Sequence, residues 1–136
     1  MGWIAITIWT ALFFFLSSAG TRGLQRKQNE KPLRWARLLW TFGMVAYVAH
    51  VLLAFHLVHA WSHAAAIEHV AEQSEQVVGW RFGAGIWFNH LFTLLVISET
   101  VWWWANAHHY QTRKLWINLL IFGYLGFIAF NGAVVF

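Results

Sequence analysis

Hydrophobic residues run along this chain in four long blocks separated by polar stretches. The blocks cover approximately Trp3–Ala19, Leu38–Ala60, Phe82–Ala105 and Leu115–Phe136. Each approaches the ~20 apolar residues that an α-helix needs to cross a hydrocarbon core. The only proline, Pro32, falls in the first connecting stretch, so no block requires a proline kink. After the second block, "AAAIEHVAEQSEQ" is rich in helix formers and meets no breaker before Gly79. The second helix is therefore expected to continue several turns beyond the membrane surface. The pattern predicts an all-α integral membrane protein, one domain over residues 1–136, with four transmembrane helices in an up-and-down bundle.

Composition strengthens this reading. The chain is 60% hydrophobic and 10% charged, against about 25% charged in an ordinary soluble domain. Eleven Trp and twelve Phe suit the bilayer and its interfaces. The absence of Cys excludes disulfides, thiolate metal sites, iron–sulfur clusters and cysteine nucleophiles. No phosphate-binding glycine loop and no nucleophile elbow is present, and no pair of carboxylates shares a span. Hydrolase and transferase chemistry is thereby disfavoured, and any catalysis would be redox chemistry run by a cofactor.

Charge then orients the blocks. Arg22, Arg26, Lys27, Lys31, Arg34 and Arg37 follow the first block, and Arg113 and Lys114 precede the fourth. Glu68, Glu72 and Glu75 lie between the second and third blocks with only Arg81. The positive-inside rule places the two basic connections in the cytoplasm and both termini outside; a bacterial-type inner membrane is the expected setting. The basic residues are thus topological, and no nucleic-acid partner is expected. "SSAG" at Ser17–Gly20 offers small residues such as signal peptidases use. Positive charge follows the first block instead of preceding it, however, which favours a retained helix.

Candidate chemistry resides in the histidines. Trp40 with Trp61, and Trp80 with Trp102, are each separated by about 30 Å of helix at 1.5 Å per residue, as two aromatic belts would be. On that ruler His50 and His90 both fall near the midplane, on consecutive helices. Intramembrane imidazoles must be paired or liganded. His50 and His90 are therefore expected to ligate a b-type haem or related tetrapyrrole, with Gly43, Ala46, Ala54 and Gly83 leaving room for a flat ring. Such a subunit would act in electron transfer with quinol or a redox partner. The alternative is that both histidines simply hydrogen-bond to neighbours and lock helix packing. The plan resembles that of small b-type cytochrome membrane subunits, although no family motif accompanies it.

"HLVHAWSH" offers a second site. His56, His59 and His63 stand three and four residues apart, on one side of a continuous helix. Such a ladder could bind Zn or Cu on the outer side, or be a polar fringe at the interface. A two-iron histidine box shared with "AHHY" (Ala107–Tyr110) is opposed by topology, because the two motifs map to opposite sides of the membrane. Glu99, close to the inner belt, is expected either to relay protons or to form an ion pair with Arg113 or Lys114. A third functional reading is a non-catalytic accessory subunit, packing its Trp-rich surface against its own copies or a larger membrane complex.

Overall fold

The computed structural model describes residues 2–25 and 31–135; the basic residues Arg26 and Lys27, and Glu30, lie outside them. Among the described residues all regular secondary structure is helical, with no strand. The elements are α1 (Gly2–Gln25), α2 (Lys31–Leu57), α3 (His63–Val78), a 3-10 turn (Gly83–Gly85), α4 (Ile86–Ala105), α5 (Ala107–Thr112) and α6 (Leu115–Val135). Four stretches are long and apolar enough to cross a membrane: Gly2–Gly23, Leu33–Leu57, Gly83–Ala105 and Leu115–Gly132. These match the four hydrophobic blocks, and the chain is a membrane protein on that ground.

The long helices meet through small residues and hydrogen bonds, as helices in lipid must when burial against lipid tails gives little gain. On α1 and α2, Ala11 and Ala36 are wholly buried. The Ser18 hydroxyl donates to the Ala36 carbonyl at 2.7 Å. Further along, the Phe15 ring fills the space above Gly43. Between α2 and α4, Trp40 Nε1 donates to Thr100 Oγ1 at 3.1 Å, and Tyr47 Oη and Thr93 Oγ1 lie 3.0 Å apart. Tyr124 of α6 donates to the Phe88 carbonyl of α4 at 2.6 Å. Trp3, Trp9, Phe13 and Leu16 on α1, and Leu119, Phe127 and Phe130 on α6, remain exposed. Such surfaces suit acyl chains rather than water.

One expectation is overturned. The second helix does not run on through the stretch after the second block; it ends at Leu57, and a separate helix begins at His63. No glycine or proline makes this break. Ala60 (φ 46) and Trp61 (φ 60) both take the left-handed conformation, which disfavours a side-chain-bearing residue by about 1–2 kcal/mol. Local bonds hold them there. Trp61 N donates to the Phe55 carbonyl at 2.9 Å, Ser62 N donates to the His59 carbonyl at 2.7 Å, and Trp61 Nε1 donates to His56 Nδ1 at 3.2 Å. Ser62 then caps α3 by accepting from Ala65 N. At its far end α3 stops on Gly79, whose φ of 80° glycine adopts freely.

α3 packs back onto the start of α4. A Cβ on Gly83 would lie 2.7 Å from Ile67 Cγ2 and 3.0 Å from the Ile67 carbonyl, so the two backbones approach where only glycine fits. Arg81 reinforces the return by bridging Glu68 and Glu75, the latter at 3.0 Å.

Candidate functional site: a histidine pair at the helix break

The break brings together histidines that a continuous helix would hold apart. His63 opens α3, and His90 stands in the second turn of α4. Their Nε2 atoms are 3.0 Å apart and share a hydrogen bond, the donor being set by which ring carries the Nε2 proton. The rings meet nitrogen to nitrogen at 38°, with centroids 5.3 Å apart. Trp87 lies 5.7 Å from the His63 ring and 5.5 Å from the His90 ring. Phe55 stacks on the His90 ring at 6.4 Å and lies 6.5 Å from that of His63. The pair therefore sits between aromatic walls. His63 is exposed to the surroundings while His90 is half-buried.

The other sequence candidates go to different partners. His56 accepts the Trp61 indole N–H. His59 sets its ring against His69 at 5.3 Å. Burial, and then the neighbouring His69, hold the His59 imidazole below its usual pKa of 6.5. His56, His59 and His63 thus do not form one ladder, because α2 ends at Leu57, before both the second and the third. Among the described residues, no group of three or more His or Glu side chains is close enough to share one metal ion.

His50 and His90 are not set ring to ring. His50 Nδ1 lies 3.1 Å from the Ile4 carbonyl of α1, and its ring faces Tyr47. The tryptophan ruler fails at one mark. Trp80 precedes the 3-10 turn and is not part of α4. Counting helix rise from it overstates the depth of His90, which is only about 6 Å along α4 from Ile86. Gly43 and Gly83, which were to leave room for a flat ring, are instead filled by Phe15 and by Ile67.

The far end carries a separate polar cluster. Glu99 is 2% exposed, and both its oxygens are taken by Arg113, NH1 to Oε1 at 2.5 Å and NH2 to Oε2 at 2.8 Å. Tyr110 of α5 donates to Glu99 Oε2 at 2.8 Å and accepts from Arg22 NH2 at 2.8 Å. Burial pushes the Tyr110 phenol up to about 12. Arg22 also lies 3.9 Å over the Trp103 ring. Of the two cations expected near Glu99, Arg113 forms the pair, while the roles of Arg22 and Tyr110 were not read from sequence. No spacing rule links Arg22 to a tyrosine on α5, since their meeting depends on helix rotation.

Comparison with protein-family models, with curated proteins and with solved structures gave no match. The chemistry of both ends therefore rests on the residues themselves.

Proposed function

We propose that this membrane protein binds a transition-metal ion between His63 and His90. The observation that carries the reading is the 3.0 Å separation of the two Nε2 atoms. Imidazoles ligate at about 2.0–2.1 Å, so two on adjacent coordination positions of one ion stand about 3 Å apart. Axial ligands on opposite faces of a haem would be separated by about twice the metal–ligand length, with the macrocycle between them. The His63–His90 spacing is that of a ring-to-ring hydrogen bond; it also fits the first arrangement and not the second, so an ion would replace the shared proton. Strain supports it too: two left-handed residues, Ala60 and Trp61, deliver His63 to this position, and such strain concentrates where geometry serves function.

Two imidazoles leave positions open. His63 is exposed, so water or a small donor completes the shell, and the bound ion stays exchangeable. Zn and Cu both accept this donor set. On the positive-inside rule the pair would face outward from an up-and-down bundle with both termini outside, and the proposed setting is a bacterial-type inner membrane.

The haem-b electron-transfer reading retains one supporting observation. The His50 Nδ1 contact with the Ile4 carbonyl orients the ring and leaves Nε2 as the lone-pair nitrogen. An accessory role in an oligomer or larger complex, including a quinol-linked one, draws on the exposed aromatic surface.

Titration of the purified protein with Zn²⁺ and Cu²⁺ separates these readings. The metal reading expects one site per chain, weakened by His63→Gln and by His90→Gln alike and unchanged by His50→Gln. Binding indifferent to both substitutions contradicts it. A Soret band that disappears in His50→Gln would establish the haem reading instead.

A further inference from the structure

The Arg-rich end holds a cavity that the histidine chemistry does not use. It measures about 270 Å³ and is lined by Leu33, Arg34, Arg37, Trp103, His108 and Gln111, with Ala107 completing the wall. Arg34 and Arg37 stand three residues apart on α2, hence on one face. Neither forms an ion pair with a carboxylate among the described residues. Of the chain's five acidic residues, Glu68 and Glu75 bind Arg81 and Glu72 lies on α3, while Glu99 is occupied by Arg113. Glu30 lies outside the described residues.

Arg37 is incompletely satisfied. Its guanidinium lies 3.9 Å over the Trp104 ring. NH1 makes one long contact, 3.4 Å, to the Trp103 carbonyl. Its Nε is buried and has no hydrogen-bond partner, a state that costs free energy unless an acceptor arrives. A phosphate suits this position, because Arg34 and Arg37 are both cationic and guanidinium forks match phosphate oxygens.

Depth identifies where that phosphate comes from. Trp35 is 68% exposed and Trp104 is 48% exposed, one in the first turns of α2 and the other in the last turn of α4. Exposed tryptophans at helix ends settle at the headgroup level of a bilayer. The cavity is lined by their sequence neighbours Arg34 and Trp103, which puts it near the same headgroup level, and basic pockets between membrane helices take such headgroups.

We infer that this cavity is a binding site for the phosphate of an anionic phospholipid, held by Arg34 and Arg37 with His108 and Gln111 at its rim. The site fixes a lipid between α2 and the α4–α5 corner. It is independent of the metal site, so either can fail without the other.

The test is native mass spectrometry of the full chain released from nanodiscs of mixed phosphatidylglycerol and phosphatidylcholine. The inference expects selective retention of phosphatidylglycerol, and a loss of about tenfold or more in Arg34→Gln/Arg37→Gln. Arg34→Gln alone, at an exposed position, gives a partial loss with unchanged thermal stability, which keeps the test valid if the double variant misfolds. Inorganic phosphate up to millimolar levels is expected not to displace the lipid. Equal retention of both lipids overturns the inference, as does selective retention that survives both substitutions. Displacement by inorganic phosphate without lipid preference overturns the lipid as the source and leaves a small-anion site.

Discussion

Arg113 grips Glu99 at two points, one guanidinium nitrogen on each carboxylate oxygen, with both side chains almost wholly enclosed at 2% and 3% exposure. The pair ties the link between α5 and α6 to the last turns of α4, and Tyr110 and Arg22 carry the network across to α1. Removing one charge strands the other, which costs about 3–5 kcal/mol for buried pairs. Glu99→Gln and Arg113→Met are therefore each expected to lower stability strongly in detergent unfolding. The double variant is expected to recover part of that loss. Additive losses in the double-mutant cycle would show the two groups acting independently.

The backbone at Ala60 gives a sharper test of the helix break. At φ 46, glycine relieves about 1 kcal/mol of left-handed strain and loses a similar amount to chain entropy. Ala60→Gly is thus expected to be nearly neutral, while the β-branched Ala60→Val lowers stability by at least about 1 kcal/mol. A continuous helix through residue 60 would reverse the order, since glycine is the poorer helix former. Thermal midpoints of the two variants decide between them.

Gly83 and Gly43 are expected to differ in their tolerance of a methyl group. At Gly83 the new Cβ meets the Ile67 carbonyl, at 3.0 Å, as well as the Ile67 side chain. Backbone cannot yield, so Gly83→Ala is expected to cost about 1–3 kcal/mol and loosen α3 from α4. At Gly43 the nearest atoms belong to the Phe15 ring, which can rotate, so Gly43→Ala is expected to cost less. Equal losses would mean that the α3 approach is not tight.

Much of the fold was legible because hydrophobic block length reports membrane spans directly. The break at residues 58–62 was not, since its signals are a serine cap and two left-handed residues without a glycine. That single omission displaced the candidate site. A continuous α2 would keep His63 on the helix of His59 and make Trp80 the depth mark for His90; the break removes both. Glu99 was legible as a costly carboxylate, but the share of its network supplied by Arg22 and Tyr110 depends on helix rotation that no periodicity records.

The His59–His69 contact sets an acid limit for the outer segment. Burial first, and His69 second, lower the His59 pKa from 6.5. The folded state therefore favours the neutral ring more than the unfolded chain does. Its contribution is present above about pH 6.5 and is lost progressively as pH falls from there through the folded value. Stability measured from pH 7.5 down to 5 is expected to decline with a slope that His59→Gln reduces. His69→Gln is expected to remove the smaller, charge-repulsion part. A slope unchanged in both variants would assign the acid sensitivity elsewhere.

X-ray absorption at the zinc edge, on protein loaded with one equivalent of Zn²⁺, tests the metal site most directly. The expected spectrum shows two imidazole ligands at about 2.0–2.1 Å, with oxygen donors completing the shell. His90→Ala should remove one of the two imidazoles. A wild-type spectrum without imidazole scattering, or one left unchanged by His90→Ala, would contradict metal binding between His63 and His90.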